Sequence, residues 1–315
     1  PGDEQFISQE TPPPLIWTGY YYRGAFVISQ AARLLGKTED AKRYAELADR
    51  IKEAFNRKWL NRETHQYATG SQTANLLPLA LQIVPQDQRA GVLENIVKSI
   101  ATEYDGHLHT GNTGTTCMID TLAAEGHGNL MYRVATTKTY PGWGYMVDQG
   151  ATTIWETWAG YPMSHGYPGA ESMIMWATID EFLYNDLAGI RGPEYYGPGQ
   201  MAPGFRQIEI RPYVVGDLTH ARASVRTVQG VIASGWKKDG NALTLDVTIP
   251  TGARAKVSVP TKGLKNVAVA EGGKTVWKNG AYLAGVVGIS GASKSADCVA
   301  FDAGSGSYSF RLTGQ

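Results

Sequence analysis

Residues 17–35 read WTGYYYRGAFVISQAARLL, and this stretch decides the fold class of the first part of the chain. Its apolar side chains recur at three- and four-residue spacing, which is typical of an amphipathic helix, and Gly36 follows as a C-terminal stop. A second amphipathic pattern covers about 39–57 and is preceded by Thr38, a good capping residue, with two acidic residues in its first turn. The sequence therefore predicts a helical hairpin.

Similar patterns continue from Leu15 to about Asp186. Helix–turn–helix pairs that begin near residues 17, 72 and 114 recur every 40 to 60 residues or so, as in stacked helical hairpins. Further helices are expected at about 72–83, 86–101, 114–125, 128–138 and 171–186, which makes seven in all.

Three long loops separate these helices, at about 60–71, 104–113 and 139–170. All three are rich in Gly and aromatic residues, and long loops in compact domains are usually functional or disordered. Because the loops fall at the same phase of the repeat, we expect them to gather at one end of the helical array.

The period changes to two beyond the Gly- and Pro-rich stretch 189–205. Short strands separated by DGN and PTGA turn signals follow, as in a β-sandwich, and Trp236 and Trp277 are expected to pack in its core. The expected domains are a linker at 1–14, a helical domain at 15–195 and an antiparallel β-sandwich at 196–315.

Composition excludes several classes of protein. Lys plus Arg and Asp plus Glu number 29 each among 315 residues, so nothing favours a nucleic acid or an anionic membrane surface as a partner. No apolar run is long enough to span a membrane, and an export signal would have to lie upstream of Pro1. Cys117 and Cys298 fall in different expected domains, lack metal-ligand spacing and predict neither a disulfide nor a metal site; no cofactor motif stands out.

Residues 140–162, YPGWGYMVDQGATTIWETWAGYP, hold the most informative carboxylate. Glu156 lies between Trp155 and Trp158 in a chain with only 18% charged residues. Aromatic faces beside a carboxyl group are typical of sugar-binding clefts. A buried Glu hydrogen-bonded at a helix end is the alternative.

At this point the chain resembles a known family over residues 11–312. Five stretches are similar to motifs that bacterial α-L-rhamnosidases of the glycoside hydrolase family 78 type carry in the same order. In chain order they are GHLHTGNTGT, YPGWGYM, GATTIWETW, TIDEFLYNDLAGI and APGFRQIEIRP. The resemblance implies the second half of an (α/α)6 barrel of twelve helices, followed by the C-terminal β-sandwich. It also implies a missing N-terminal part of the same protein, with the first half of the barrel, as a partner.

The resemblance further implies an inverting hydrolase that releases terminal α-L-rhamnose, with Glu156 as the general base that activates water. The general acid of the family lies in an acidic stretch upstream of Pro1. Four carboxylates of this chain are candidates by composition alone, and none is assigned as the acid: Asp105, Asp120, Asp148 and Glu171.

Several aromatic and histidine side chains are candidates for binding the sugar. Trp155 and Trp158 are expected in the cleft, while Trp143 and Tyr145 line either the site or the barrel wall. His107 and His109 either bind sugar hydroxyls or anchor their loop, and His107 is the favoured sugar ligand of the two.

One departure concerns the Asn-His pair that the family carries before its closing helix, where this chain has Ser172 and Met173. In the family, the histidine of this pair reaches the sugar. Either that contact is lost in this chain or another residue supplies it, and His165 is the obvious candidate. The substrate is then a rhamnose-containing carbohydrate, and the options are a modified rhamnose or rhamnose linked to an acidic or sulfated polysaccharide.

Two other functions remain open. A polysaccharide lyase on the same toroid would use Tyr or His as a base together with a basic residue or metal, and it gives Glu156 no role. A non-catalytic carbohydrate-binding relic of a hydrolase would explain both the altered segment at 172–173 and the missing acid.

Overall fold

The computed structural model describes residues 10–159, 172, 174, 176–192 and 203–315. These residues fall into two compact units, one extending to Ile179 and the other beginning at Asp180. The first unit is helical and the second is built from strands, which is the order that the sequence predicts.

The helical unit consists of helices that pack in pairs: α1 packs on α2, while α3 packs on α4 and α5. A small β-hairpin lies between α2 and α3, and a π-helical segment, Ser99–Glu103, continues α4. The elements are α1 (Pro13–Leu34), α2 (Thr38–Trp59), β1 (Leu60–Asn61), β2 (Gln66–Tyr67), α3 (Gln72–Ala80), α4 (Gln86–Lys98), α5 (Asn112–Leu122), α6 (Gly128–Thr136) and α7 (Trp143–Asp148).

The end of α1 is fixed by Gly36, which has a φ of +68°. A left-handed glycine just past a helix lets the following N–H reach back, and here Lys37 donates to the Ala32 carbonyl oxygen over 2.8 Å. The predicted stop is confirmed. The predicted cap of α2 is wrong, because this tight turn leads straight into a helix that starts at Thr38 and places Lys37 at the cap position.

The most enclosed element of this unit is α3, whose residues 72–79 are all buried. Ser71 caps it by accepting a hydrogen bond from the Ala74 N–H over 3.3 Å. A helix buried on all sides belongs in the interior, so α3 forms the centre of the helical unit.

One face of α1 is apolar and exposed. Trp17, Tyr21 and Ile28 of α1 and Leu35, which directly follows it, are 68%, 59%, 45% and 72% exposed, respectively, and intervals of four and seven residues place them along a single stripe. Large apolar side chains aligned in this way are typical of a surface that packs against another element.

Residues 10–14, part of the expected linker, belong to the helical unit instead. The Thr11 hydroxyl lies 2.7 Å from the Ser71 hydroxyl, and the Thr69 hydroxyl donates to the Glu10 carbonyl oxygen over 2.8 Å. Helix α1 begins at Pro13, because proline suits the first turn, where its missing N–H is not needed.

The helix expected at 171–186 is shorter than the sequence indicates. Helix α8 (Ile179–Glu181) and its π-helical continuation, Phe182–Leu187, are its helical part. Ser172 and Ile174 lie in bends, and residues 171, 173 and 175 lie outside the described residues. The indole N–H of Trp143 donates to the Trp176 carbonyl oxygen over 2.8 Å. This hydrogen bond competes with a helical hydrogen bond to the same carbonyl oxygen. Helix α7, with only six residues, was not expected inside the loop at 139–170, because so short a helix leaves no readable period.

The strand unit contains two sheets, with strand orders β11-β10-β9-β14-β7-β6-β5 and β12-β13-β8-β4-β3. The described pairs are antiparallel apart from β4 with β8, which is parallel. The strands are β3 (Ile190–Arg191), β4 (Gln207–Ile210), β5 (His220–Thr227), β6 (Gly230–Asp239), β7 (Ala242–Ile249), β8 (Arg254–Pro260), β9 (Ala268–Glu271), β10 (Lys274–Lys278), β11 (Ala281–Tyr282), β12 (Ile289–Lys294), β13 (Cys298–Ala303) and β14 (Gly306–Thr313).

The two sheets pack face to face through a shared apolar core. Phe301 of β13 stacks on Phe310 of β14 with ring centroids 5.0 Å apart, so side chains of both sheets meet there. Trp236 and Trp277 are 2% and 4% exposed, which confirms that they pack in the core. The predicted β-sandwich is therefore confirmed.

Candidate active site

The segment that carries Glu156 has no regular secondary structure over residues 151–158 and follows α7. Helix α7 lies close to the end of α6. The distance is so short that a methyl group added at Gly144 would lie only 2.5 Å from the Thr137 carbonyl oxygen. Such a close approach of two backbones requires glycine. The second glycine of the PGWGY stretch therefore sets where the chain enters the Glu156 segment.

A cluster of three buried tryptophans holds this segment in place. Trp158 stacks on Trp176 with centroids 4.2 Å apart and meets Trp143 edge to face at 5.1 Å. The Trp143 indole donates to the Trp176 carbonyl oxygen over 2.8 Å, and the Trp176 indole donates to the Glu156 carbonyl oxygen over 3.0 Å. Each bond contributes about 0.5–1.5 kcal/mol, so the cluster fixes the backbone at Glu156.

The side chains of Glu156 and Trp155 are half-buried. A general base needs access to water as well as a fixed position. The half-buried Glu156 meets the first condition, and its tryptophan-bound carbonyl meets the second.

A cavity of about 770 Å³ lies in the helical unit. Its walls come from the start of α1 with the residues before it, from the loop that leads into α5, and from the stretch between Tyr140 and Trp158. Volumes of about 300–1,000 Å³ are typical of small-molecule sites, so this one is large enough for a sugar. Side chains that line it include Glu10, Trp17, His109, Asn112, Tyr140 and Trp158.

His109 is held on the cavity wall from several sides. Its Nε2 lies 2.7 Å from the Glu10 Oε1, and its ring stacks on Tyr104 at 4.4 Å. Its backbone N–H donates to the Gln72 Oε1 over 2.8 Å. The orientation of this imidazole is therefore determined by its neighbours.

His107 has different surroundings, and it is absent from the described lining of the cavity. Its Nδ1 lies 2.9 Å from the Tyr104 carbonyl oxygen and its Nε2 lies 2.7 Å from the Thr139 hydroxyl. With both ring nitrogens engaged, the geometry is that of a residue that anchors its loop. A sugar-binding role for His107 stays a prediction.

The other candidates are divided between the cavity and the wall behind it. Among the described candidates, Trp158 lines the cavity, and Trp143 supports Trp158 from behind. Tyr145 is half-buried and contacts Tyr140, a lining residue, edge to face at 5.6 Å. His165 lies outside the described residues.

The carboxylates considered as substitutes for the acid have other surroundings. Asp105 pairs with Arg133 at 3.3 Å, and Asp148 pairs with Lys138 at 3.3 Å. Asp120 lies within α5, and Glu171 lies outside the described residues. Like Glu156 itself, these three described carboxylates are absent from the described lining of the cavity, so it is their ion pairs or their place within a helix that distinguish them from Glu156.

Sequence reasoning missed three residues of this region. The sequence places Glu10 in a linker and Trp17 in a helix pattern, and Trp176 lies in the segment that departs from the family. The prolines at 12–14 were the available signal. Proline suits the first turn of a helix, so they indicate that a helix begins shortly after Glu10.

Neither a membrane span nor a metal site is evident in the described residues. No helix among them is long and apolar enough to cross a bilayer. They also contain no group of three or more His, Cys, Asp or Glu side chains placed to hold a metal ion. Cys117 and Cys298 are both buried and free.

Two family models match the amino-acid sequence. Residues 2–187 match the bacterial alpha-L-rhamnosidase 6 hairpin glycosidase domain, and residues 197–274 match the bacterial alpha-L-rhamnosidase C-terminal domain. The first match alone covers more than half of the chain. The chain belongs to the bacterial α-L-rhamnosidase family. The resemblance carried by the sequence motifs is thereby confirmed.

Relatives of this rhamnosidase chain are similar in both sequence and structure. An alpha-L-rhamnosidase of Streptomyces avermitilis is 29% identical over 315 residues, which cover 99% of this chain and 28% of that protein. The structure of alpha-L-rhamnosidase from Dictyoglumus thermophilum matches with a TM-score of 0.83 and 33% identity, over 94% of this chain and 31% of the other. The Streptomyces avermitilis alpha-L-rhamnosidase complexed with L-rhamnose matches with a TM-score of 0.79 and 28% identity, over 97% and 27% of the two chains. The chain thus spans less than a third of the length of these relatives.

Proposed function

We propose that this chain is the part of an inverting α-L-rhamnosidase that supplies the general base, Glu156, for release of terminal α-L-rhamnose. The observation that carries the proposal is the tryptophan cluster, which binds the Glu156 carbonyl and presents Trp158 to a sugar-sized cavity. Membership of the α-L-rhamnosidase family supports the same reaction and substrate.

An inverting hydrolase needs a base on one side of the sugar and an acid on the other, with a water molecule between the base and the ring. Glu156 takes a proton from this water molecule while the water oxygen attacks the anomeric carbon. The bond to the leaving oxygen breaks, and that oxygen receives a proton from the acid. The sugar product therefore has inverted configuration at the anomeric carbon.

The acid, in this proposal, comes from sequence upstream of Pro1. Two observations support this. The relatives are more than three times as long as this chain, and the exposed apolar stripe of α1 offers a surface for further helices. Trp17 belongs both to that stripe and to the cavity wall, so helices packed there would approach the site.

The aromatic walls suit a deoxysugar. Trp17, Tyr140 and Trp158 line the cavity, and aromatic faces bind the apolar C–H surface of a sugar and the methyl group of rhamnose by removing both from water. The loop before α5 adds polar groups to the same cavity, and Asn112 among them offers an amide to sugar hydroxyls.

A lyase fits the cavity less well. It must neutralise the carboxylate of a uronic acid, and the described lining of the cavity contains neither Lys nor Arg. The hydrolase is therefore the better supported enzyme class. A non-catalytic carbohydrate-binding protein would keep the cavity but show no turnover.

The test is hydrolysis of aryl α-L-rhamnosides by the full-length protein, followed by proton NMR of the first product. We expect rhamnose to appear initially as the β anomer. Initial release of the α anomer would contradict inversion. A product that absorbs in the near ultraviolet would identify a lyase, and binding of rhamnosides without turnover would identify a relic.

A further inference from the structure

We infer that His109, held in place by Glu10, is a residue of the cavity that binds the sugar and distinguishes its hydroxyl groups. The inference rests on the proposed function in that it takes the cavity to hold a rhamnose ring. It goes further by assigning recognition to a histidine on the loop before α5 and to a carboxylate from the segment before α1.

The geometry makes His109 a fixed recognition group. Its side chain is 43% exposed, so a ligand can reach it, yet the stack on Tyr104 and the bond to Glu10 hold the ring still. A protein side chain that is already held in one orientation loses little entropy when a ligand binds, which favours affinity and selectivity. A mobile surface histidine would have neither property.

The partner of Nε2 determines what the other ring nitrogen can do. Glu10 is an acceptor, so Nε2 carries the proton that it donates to that carboxylate. Within the part of the chain that the structure describes, Nδ1 has no hydrogen-bond partner. In the neutral ring it accepts a hydrogen bond from a hydroxyl group, and in the charged ring it donates one.

The remaining lining completes a site for a polyhydroxylated ring. Asn112 and Thr113, at the start of α5, add amide and hydroxyl groups, and Trp158 adds an aromatic face. The Trp158 indole N–H is buried and has no partner among the described residues, which costs about 1–3 kcal/mol unless an acceptor from elsewhere meets it. This combination of aromatic and polar groups is typical of small-molecule sites.

Glu10 acts through His109 and is a positioning residue. Its carboxylate is 53% exposed and accepts the imidazole N–H, whereas a general acid must hold a proton to give away. Glu10 also joins the segment before α1 to the segment before α3, because its carbonyl oxygen accepts the Thr69 hydroxyl over 2.8 Å. The two roles give the segment before α1 a place in substrate recognition.

The experiment measures binding of L-rhamnose and its deoxy analogues to the full-length protein by calorimetry. The variants are His109→Ala, Glu10→Gln, the double variant, and His127→Ala as a control in the turn between α5 and α6. We expect His109→Ala to weaken L-rhamnose binding by about 10- to 100-fold, because a sugar hydroxyl then loses its hydrogen-bond partner in the site. Binding of the analogue that lacks the recognised hydroxyl should change little. Glu10→Gln should weaken binding less, and the double variant should be no weaker than His109→Ala, since the two residues act as one unit.

Each outcome decides the matter. Loss of discrimination between L-rhamnose and one deoxy analogue in His109→Ala, with unchanged discrimination in His127→Ala, supports the inference. Equal binding by wild type and His109→Ala overturns it, and so does a wild type that binds no L-rhamnose. Turnover separates the two proposals: hydrolysis that does not depend on His109 leaves the proposed function standing, whereas His109-dependent binding without hydrolysis leaves only the inference.

Discussion

Glu156 and Glu10 show what a carboxylate's position in the sequence does and does not reveal. Glu156 could be singled out because two tryptophans flank it in a distinctive motif. Glu10 could not, because its partner His109 lies 99 residues away and nothing local marks the pair. The same holds for the two histidines of GHLHTG: their neighbours in space, and not their spacing, separate a loop anchor from a cavity residue.

Trp176 offers a test of how the proposed base is positioned. Trp176→Phe keeps an aromatic ring on Trp158 but removes the indole N–H that binds the Glu156 carbonyl. Because one hydrogen bond contributes about 0.5–1.5 kcal/mol, we expect kcat on an aryl rhamnoside to fall by up to about tenfold with KM little changed.

The matched control is Trp59→Phe, at the end of α2 and half-buried away from the cavity lining. It should leave kcat at the wild-type value. A rise in KM with unchanged kcat in Trp176→Phe would show that the indole N–H serves substrate binding and does not position the base.

At the scale of elements, α1 has two unlike faces. One packs on α2 and α3 and buries Leu15 and Tyr22, and the other exposes the apolar stripe. Helical periodicity predicted the helix, but it could not say which apolar positions face the described core, because both stripes recur at helical spacing.

The stripe leads to a prediction about Ile28. If upstream helices pack on this face, Ile28→Glu should destabilise the full-length protein by about 2 kcal/mol or more, the cost of removing one buried aliphatic side chain. The 315-residue chain, in which Ile28 is 45% exposed, should lose little. Thermal unfolding of both forms measures the difference.

Ala54→Glu on the exposed side of α2 is the control, since it introduces the same charge on another helix. It should affect both forms equally. An equal effect of Ile28→Glu on the two forms would show that nothing covers the stripe.

Asp186 gives the strand unit a pH dependence. Burial raises the pKa of this carboxyl to about 6, even though the Arg191 guanidinium beside it acts to lower the pKa. The folded state therefore holds the proton more tightly than the unfolded state, whose pKa is about 3.9. Its contribution to stability is complete below the unfolded pKa and is lost as the pH rises through about 6.

We therefore expect the wild type to gain about 1.4 kcal/mol of stability from this group between about pH 7.5 and pH 5, roughly half of the full effect that is reached below the unfolded pKa. Asp186→Asn, which cannot titrate, should lack that part of the gain. Calorimetric unfolding of both proteins at the two pH values measures it. Parallel pH profiles for wild type and variant would contradict the assigned shift.

At the scale of the whole molecule, the order of helical and strand regions could be read from the sequence because periods of 3.6 and 2 are local properties. The sandwich strands were recovered for the same reason, and so was the Gly36 stop. The extent of α8, the attachment of residues 10–14 and the composition of the cavity depend on contacts between distant residues. Trp176 with Glu156 and Ser71 with Thr11 are examples that no local pattern reports.

The relatives that this chain matches are much longer than the chain itself. This chain covers 28% of the Streptomyces avermitilis α-L-rhamnosidase and nevertheless includes the proposed base, a cavity and two packed β-sheets. Catalysis in this account requires both this chain and the sequence that supplies the acid. The 315-residue chain alone should therefore bind sugar more readily than it hydrolyses glycosides.

The most direct test of the central claim is the turnover of an aryl α-L-rhamnoside by full-length Glu156→Gln. General base catalysis contributes about 10²- to 10⁴-fold, so we predict a fall in kcat of that size with unchanged thermal stability. Glu63→Gln, the same substitution at an exposed turn residue, should turn over like the wild type. If Glu156→Gln retains wild-type turnover, Glu156 is not the base and the proposed mechanism is wrong.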